Sequence, residues 1–266
     1  MRYINYLRLK DKGCSLNLID NCQFFYRNKL YPYISMENNI ENYRLKSFSL
    51  YDFLSKEEAK LVKSKGIRKE YDRGEYLFRE KSFSRGIYIV RKGKVKIFQM
   101  NNEGKQSIVY IYKKGEYFGY RPILAKEPHP VSAVAMDTVV VSFIPKDIFL
   151  GLLEKSSTLA NELLHTLSKE FSVWVKKMTI FSQYGVKQRV ALSLLILNKV
   201  YQHQEDHHKP VLIKINREDF AGFVGTAKET LVRMLRTFKD DEVIATKGTK
   251  IIILRPKVLL KIVTAL

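Results

Sequence analysis

The sequence predicts an α+β fold with an antiparallel β-sheet domain, a long helix and a C-terminal winged helix-turn-helix, in that order. Short β-rich segments separated by glycines occupy residues 46–150, and a long apolar stripe with helical spacing follows in residues 151–182. Residues 183–266 then show a helix, a strand, two helices and a β-hairpin, which is the order of a winged helix. These ranges are the predicted domain boundaries.

Residues 1–45 form a predicted N-terminal extension with no steady helical or strand period. Two interpretations of residues 1–35 stay open. They are either translated upstream sequence, with the native protein beginning at Met36, or a true extension that packs on the β domain.

The composition indicates a soluble globular protein with room for two modest cores. The chain has 266 residues, 45% of them hydrophobic, and a mean hydropathy of −0.22. Its longest apolar runs, such as Ala191–Leu197, are too short to span a membrane, and no signal peptide is evident. We therefore expect a cytoplasmic protein with no membrane partner. The net charge of +20 favours a polyanionic partner, but the charge is spread along the chain and does not locate a site.

The β domain is predicted from short segments rich in β-branched and aromatic residues. A short helix precedes them, with Ser55 as N-cap and Glu58 as its capping-box partner. Asn101–Gly104 is typical of a hairpin loop. Closely spaced short strands favour an antiparallel sandwich or barrel. The predicted strands are Tyr76–Phe78, Ile87–Val90, Val95–Met100, Ile108–Tyr112, Val131–Ala135 and Val139–Ile144.

The long helix is predicted from apolar residues spaced by three or four over about six turns. A helix of this length cannot bury its stripe within one small domain, so we favour a helical pair between identical chains, with packing against the chain's own β domain as the alternative. Gly185 follows the helix and is a natural hinge. The stripe consists of Leu159, Leu163, Leu167, Phe171, Trp174, Met178 and Phe181.

The segment Ile215–Phe238 contains the pattern of a helix-turn-helix. Asn216 is a suitable N-cap for a first helix, and Gly225 permits a tight turn because glycine takes positive φ at little cost. Thr226 is the predicted N-cap of the second helix, with Glu229 as its partner. The predicted buried face of that helix consists of Leu231, Met234, Leu235 and Phe238.

The outward face of the second helix carries the residues that could read DNA. A helix in the major groove contacts bases with its N-terminal residues. Lys228 and Arg233 suit the O6 and N7 acceptors of guanine, and Glu229 could accept from N4 of cytosine. Lys239 also lies on the predicted outward face. The residues of this face and turn that are predicted to support binding are Thr226, Ala227, Thr230, Val232 and Arg236.

From about Phe48 to its end the chain resembles the Crp/Fnr superfamily of bacterial transcription regulators. INREDFAGFVGTAKETLVRML is similar to the helix-turn-helix signature of that family, and TKGTKIIIL is similar to its wing. GIYIVRKGKVKIF and NNEGKQSIVYIYKKGEYFG are similar to its effector-binding β-roll, a jelly-roll-like domain. The resemblance implies a homodimer joined by a long dimerisation helix, a two-fold symmetric DNA operator and contact with RNA polymerase. It also implies base reading by Lys228, Glu229 and Arg233, and phosphate contacts by Arg217, Lys247, Thr249 and Lys250.

The chain departs from the family where cyclic AMP would bind. In members that bind it, a glutamate near the position of Tyr120 holds the ribose, and an arginine near the position of Val131 pairs with the phosphate. Because a buried anion without a cation is costly, we do not expect a cyclic nucleotide in the usual pose, although Arg121 could serve from a shifted position. The effector is unknown, or absent. The predicted effector pocket consists of Gly119, Tyr120, Arg121, Val131 and Ser132.

No cofactor, metal or catalytic set is expected. Two cysteines, Cys14 and Cys22, cannot hold an iron–sulfur cluster or a zinc ion by themselves. The histidines (His129, His165, His203, His207 and His208) do not form a convincing ligand set. No nucleophile–base pair, carboxylate pair or phosphate-binding glycine loop indicates an enzyme.

Two functions from different classes therefore remain. The favoured one is a sequence-specific DNA-binding regulator. The alternative is a β domain that binds a ligand or partner, with a winged helix that serves protein interaction.

Overall fold

The computed structural model describes residue 43, residues 49–202 and residues 210–264. Apart from residue 43, the predicted N-terminal extension lies outside these residues, as do the two cysteines and the three histidines of the 203–208 segment. None of the helices in the described residues combines the length and the hydropathy of a membrane-spanning segment.

The β domain consists of two facing antiparallel sheets. One has the strand order β1-β8-β3-β6 and the other β2-β7-β4-β5. The core between them is built from alternate strand residues, among them Val90, Val95, Phe118 and Val141. The strands are β1 (Ile67–Tyr71), β2 (Tyr76–Phe78), β3 (Gly86–Lys92), β4 (Val95–Met100), β5 (Gln106–Tyr112), β6 (Tyr117–Phe118), β7 (Ser132–Ala135) and β8 (Val139–Pro145).

In the part of the chain that the structure describes, four α-helices lie before, within and after this domain. Ser55 caps the first of them and forms a capping box with Glu58, as predicted. Ser156 separates the third helix from the long fourth helix and caps it. These helices are α1 (Lys56–Lys65), α2 (Tyr120–Ala125), α3 (Lys146–Lys155) and α4 (Ser157–Gln183), and a 3-10 helix (Leu50–Phe53) precedes α1.

The winged helix follows the Gly185 linker. Its three-stranded antiparallel sheet has the order β10-β11-β9. The elements are α5 (Val186–Tyr201), β9 (Ile213–Lys214), α6 (Arg217–Val224), α7 (Lys228–Asp240), β10 (Ile244–Lys247), β11 (Lys250–Ile253) and α8 (Pro256–Thr264).

The winged helix packs directly against the outer face of the β2-β7-β4-β5 sheet. Phe98 and Ile108 of that sheet share one buried cluster with residues of α5 and α6. The Lys96 Nζ of β4 lies 2.5 Å from the Asp219 Oδ1 of α6, and both side chains are nearly buried. The two domains are therefore joined by an apolar contact and by a buried ion pair.

The structure confirms the predicted fold and the six predicted strands, with ends that shift by one or two residues. Sequence reasoning missed strands β1 and β6, helices α2 and α8, and the break at Ser156 that separates α3 from α4. Strand β1 (IRKEY) is mostly charged and pairs only with β8 at the edge of its sheet, so it lacks the apolar alternation of a half-buried strand.

The predicted single stripe on the long helix was wrong. Leu159 and Leu163 are buried against the β domain, whereas Phe171 and Met178 are about 70% exposed. The apolar positions of α4 therefore lie on two faces, because a strict spacing of four drifts around a helix with 3.6 residues per turn. One face packs within the chain, and the other remains uncovered in the protomer.

Candidate nucleic-acid interface

Helix α6 is the first helix of the helix-turn-helix. The Asn216 Oδ1 accepts a hydrogen bond from the Asp219 N–H (2.7 Å), which confirms the predicted cap. Glu218 and Asp219 lie in the first turn, where the helix dipole favours negative charge. The helix therefore begins where the sequence indicates.

The turn between α6 and α7 depends on Gly225, whose φ is +71°. The N–H groups of Gly225 and Thr226 both donate to the carbonyl of Ala221, at 2.9 and 3.1 Å. A Cβ on Gly225 would also overlap the ring of Phe181 on α4. The positive φ favours glycine at this position, and a larger residue would also displace the Phe181 ring.

The predicted N-cap of α7 was wrong. The capping position belongs to Ala227, which provides no side-chain hydrogen bond, and α7 begins at Lys228. The backbone of Thr226 completes the C-terminal turn of α6, so its side chain stands one residue before the capping position. The capping box with Glu229 is consequently not formed.

Helix α7 has the predicted division into a buried and an outward face. Leu231, Leu235 and Phe238 are buried, and Met234 is partly buried. Thr230 is partly buried at the boundary between the faces. The exposed residues of the turn and helix include Ala227, Lys228, Glu229, Val232, Arg233 and Arg236.

The charged residues on this face differ in their present partners. The Lys228 Nζ lies 2.6 Å from the Glu218 Oε1, and this hydrogen bond raises the pKa of Lys228. The Arg236 Nε lies 3.9 Å from the Asp240 Oδ2 one turn away. Among the described residues, the Arg233 guanidinium has no ion-pair partner, so it is the cation most available to a ligand.

The wing places two lysines beside α7. Lys247 and Lys250 are cross-strand partners at the ends of β10 and β11, and both are exposed. Gly248 at the tip has a φ of +58°, and Thr249 follows it. The tip is therefore a tight basic turn without an apolar surface.

Arg217 connects α6 to the tip of the wing. Its Nη2 donates to the Gly248 carbonyl at 3.0 Å, and burial lowers the pKa of the guanidinium. Sequence reasoning assigned Arg217 a phosphate contact and missed this positioning contact. The contact between Arg217 and phosphate stays a prediction.

The predicted effector-pocket residues Tyr120 and Arg121 bind one carboxylate of the long helix. The Tyr120 hydroxyl donates to the Glu170 Oε1 (3.0 Å), and the Arg121 Nε donates to the Glu170 Oε2 (2.8 Å). Tyr120 and Glu170 are buried, and the pKa of the tyrosine hydroxyl is raised by burial and by the carboxylate. The cation that could have replaced the missing arginine is thus already paired.

The other three predicted pocket residues have separate surroundings. Gly119 precedes α2 with a φ of +91°. Val131 packs against the core between the two sheets, and the Ser132 Oγ accepts from the Glu80 N–H (2.9 Å). Among the described residues, no hydrogen bond or ion pair joins these two residues to Tyr120 or Arg121. That the five residues form one pocket stays a prediction.

The described histidines differ in their surroundings. His129 is buried and stacks on Phe78 with ring centroids 3.7 Å apart, and burial lowers its pKa to about 4. His165 is exposed on α4. Among the described residues, no group of three or more His, Cys, Asp or Glu side chains is placed to hold a metal ion.

A two-sheet β domain joined through a long helix to a basic winged helix is the architecture of a regulator with a sensor-like domain and a DNA-binding domain. Two family models match the chain. The cyclic nucleotide-binding domain matches residues 68–156, and the Crp-like helix-turn-helix domain matches residues 188–262. Together they cover more than half of the chain, which belongs to the Crp/Fnr superfamily.

Curated relatives agree with this assignment. The chain is 28% identical over 184 residues to the transcriptional activator protein Anr of Pseudomonas protegens, covering 69% of this chain and 75% of that protein. It is 25% identical over 187 residues to the fumarate and nitrate reduction regulatory protein of Vibrio cholerae, covering 70% of this chain and 74% of the relative.

Solved structures show the same fold at low sequence identity. FixK2 from Bradyrhizobium japonicum has a TM-score of 0.66 and 18% identity, and the match covers 74% of this chain and 96% of that one. A transcriptional regulator of the CRP/FNR family from Thermus thermophilus has a TM-score of 0.60 and 20% identity, with coverages of 74% and 98%.

Proposed function

We propose that this protein is a sequence-specific DNA-binding transcription regulator that acts as a homodimer on a two-fold symmetric operator. The observation that carries the proposal is the outward face of α7, on which Glu229 and Arg233 are exposed beside the basic wing. The names of the relatives, which are activators and regulators of transcription, support it. Contact with RNA polymerase is the expected consequence of family membership.

Base reading is assigned to Lys228, Glu229 and Arg233. Arg233 has no ion-pair partner among the described residues and can pair with O6 and N7 of a guanine. Lys228 must first leave Glu218, so its contribution to affinity is reduced by the lost ion pair. Val232 is 45% exposed and offers an apolar contact for a thymine methyl group.

Phosphate contacts are assigned to the wing. Lys247, Thr249 and Lys250 are exposed at its tip, where they can position the protein without reading sequence. Arg217 holds the Gly248 carbonyl and so fixes the direction of the wing. We expect its substitution to weaken all duplexes alike.

The two roles separate in a binding experiment with the preferred duplex and with base-substituted duplexes. Arg233→Ala should cost about 1–3 kcal/mol on the preferred duplex and should relax discrimination at one position of each half-site. Lys250→Ala should weaken every duplex evenly and reduce the salt dependence of binding. Lys60→Ala, on the exposed surface of α1, is the control and should change neither quantity. Equal affinity of the wild-type protein for all duplexes would contradict the proposal.

The dimer contact is assigned to the uncovered face of α4. Leu164, Phe171, Val175 and Met178 are exposed on this face, at successive spacings of seven, four and three residues. This spacing is that of a coiled-coil seam, because residues at such positions face a partner helix. A second copy of the chain would cover this face.

The seam predicts the oligomeric state. Phe171→Glu combined with Met178→Glu should convert the dimer to a monomer in light scattering, because four like charges would meet in the seam. His165→Glu lies on the same helix outside the seam and should remain dimeric. A double variant that stays dimeric would place the interface elsewhere.

We further propose that the signal is not a cyclic nucleotide bound in the family's usual pose. Tyr120 and Arg121 are both bound to Glu170, so no free cation faces the phosphate position from α2. Calorimetric titration with cyclic AMP should show no saturable binding, and tight binding that depends on Arg121 would overturn the idea.

A further inference from the structure

A cavity of about 520 Å³ lies between the β domain and the winged helix, away from α7 and from the predicted effector pocket. Turns between strands of the β domain provide one wall, and the end of α5, strand β9 and the start of α6 provide the other, together with Thr249 of the wing. Its charged and aromatic lining consists of Arg73, Lys94 and Asp137 on one side and Tyr201, Lys214 and Asp219 on the other. The volume is within the usual range of small-molecule sites.

Both carboxylates of the lining already have partners. The Asp219 Oδ1 lies 2.5 Å from the Lys96 Nζ, and its Oδ2 accepts from the Asn216 Nδ2 at 2.8 Å. The Asp137 Oδ1 accepts from the Lys94 N–H at 2.8 Å. Lys96 therefore balances the charge of Asp219, whereas Asp137 keeps its negative charge beside Lys94.

Most of the positively charged side chains described in the lining lack a close acidic partner. Among the described residues, Arg73 and Lys214 have no ion-pair or hydrogen-bond partner for their side-chain charges. Lys94 lies over the Tyr201 ring at 4.4 Å, and its one carboxylate partner among the described residues, Asp137, is 3.9 Å from its Nζ. The part of the lining that the structure describes therefore has a surplus of positive charge.

These groups are close enough to influence one another. Burial lowers the pKa of Lys94, and the charge of Lys214 lowers it further, while Asp137 acts in the opposite direction. The charge of Arg73 similarly lowers the pKa of the Tyr201 hydroxyl, against the larger effect of burial. A multiply charged anion would relieve the repulsion between Lys94 and Lys214.

Most of the remaining lining residues are apolar, and Asn216 and Thr249 add two polar side chains. Met136 comes from the β domain, and Val211 and Leu212 come from the segment before β9. A cavity with a cationic side and an apolar side matches an organic molecule rather than a bare inorganic ion.

We propose that this cavity binds a small organic anion with at least two negative charges, carried by phosphate or carboxylate groups. Such a ligand would contact Arg73 and Lys94 on the β domain and Lys214 on the winged helix. It would therefore fix the orientation of the winged helix, because its binding free energy is available only when both walls are in place. This last consequence rests on the proposed function, whereas the site itself does not.

The test is calorimetric titration of the full chain, without DNA, with inorganic pyrophosphate as the phosphate probe and citrate as the carboxylate probe. At least one probe should bind with one site per chain, and the affinity should fall with added salt. Lys214→Glu and Arg73→Glu should each weaken this binding by about tenfold or more, because each reverses a charge that faces the anion. Far-ultraviolet circular dichroism should show that both variants are folded.

Two matched charge reversals complete the experiment. Lys60→Glu on α1 and Arg236→Glu on the DNA-facing helix should bind the probe as the wild-type chain does. Absence of saturable binding of both probes, or binding that survives in Lys214→Glu and Arg73→Glu, would overturn the site. Binding abolished by Arg236→Glu would also overturn it, because the probe would then occupy the DNA surface. A chain that binds pyrophosphate but no duplex would refute the proposed function and leave the site intact.

Discussion

The contact between the winged helix and the β domain can be tested with one methyl group. Gly222 lies within α6, and a Cβ built on it would overlap the Gln106 carbonyl oxygen of β5, closer than the 3.0 Å that real Cβ atoms keep. The Cβ is attached to the backbone of α6 and would meet the backbone of β5, so no side chain can rotate away. Gly222→Ala therefore requires α6 to move away from the sheet. The Lys96–Asp219 ion pair spans the same contact and would be strained by the movement.

The expected change in the free energy of unfolding of Gly222→Ala follows from two opposed effects. Alanine in place of glycine within a helix stabilises it by about 1 kcal/mol, because the unfolded chain loses freedom. Overpacking by one methyl group costs about 1–3 kcal/mol. Gly222→Ala should therefore lower the free energy of unfolding by up to about 2 kcal/mol, which is the overpacking cost less the gain in helix propensity.

Gly151→Ala provides the matched control. Gly151 lies within α3, and nothing lies within 4 Å of the Cβ it would gain. This variant should be more stable than the wild-type chain by up to about 1 kcal/mol in urea denaturation. Hydrogen exchange should show faster exchange in β5 for Gly222→Ala only. If Gly222→Ala is stabilised as much as Gly151→Ala, with unchanged exchange in β5, the described docking of α6 on β5 is wrong.

Two other predictions concern buried polar groups of the β domain. Because burial lowers the folded-state pKa of His129 from 6.5 to about 4, the folded state binds fewer protons than the unfolded state between these values. Stability should therefore be lost as the pH falls from 6.5 to 4, by up to about 3 kcal/mol, and His129→Phe should remove most of this loss in urea denaturation. A His129→Phe profile that matches the wild type would contradict the burial argument. Glu170→Gln should destabilise the chain by about 1–3 kcal/mol, because Arg121 loses its partner, whereas exposed Glu154→Gln on α3 should have little effect. Equal denaturation midpoints of the two variants would show that the network contributes nothing.

Local signals made much of the fold predictable. Ser55 and Asn216 cap the predicted helices, and Gly225 has the positive φ that its turn requires. Each of these caps and turns depends on residues that are close together in the chain, so its pattern can be recognised in the sequence. The outward position of Arg233 follows in the same way from the period of α7.

Contacts between distant residues were not predictable. Lys96 and Asp219 are 123 residues apart in the chain, and Tyr120 and Glu170 are 50 apart, so only the tertiary fold brings them together. The same is true of Arg73 and Lys214, which line one cavity from two domains. Thr226 failed as a cap because two overlapping turns compete for one residue, and the sequence alone does not decide between them.

Sequence-specific reading of DNA is the central claim, and selection of bound duplexes from a random pool tests it most directly. The account predicts enrichment of a two-fold symmetric sequence, with half-sites about one DNA turn (~34 Å) apart. The same selection with Arg233→Ala should lose preference at one position of each half-site. Failure of the wild-type chain to enrich any sequence, with equal binding of all duplexes at every salt concentration, would contradict the claim.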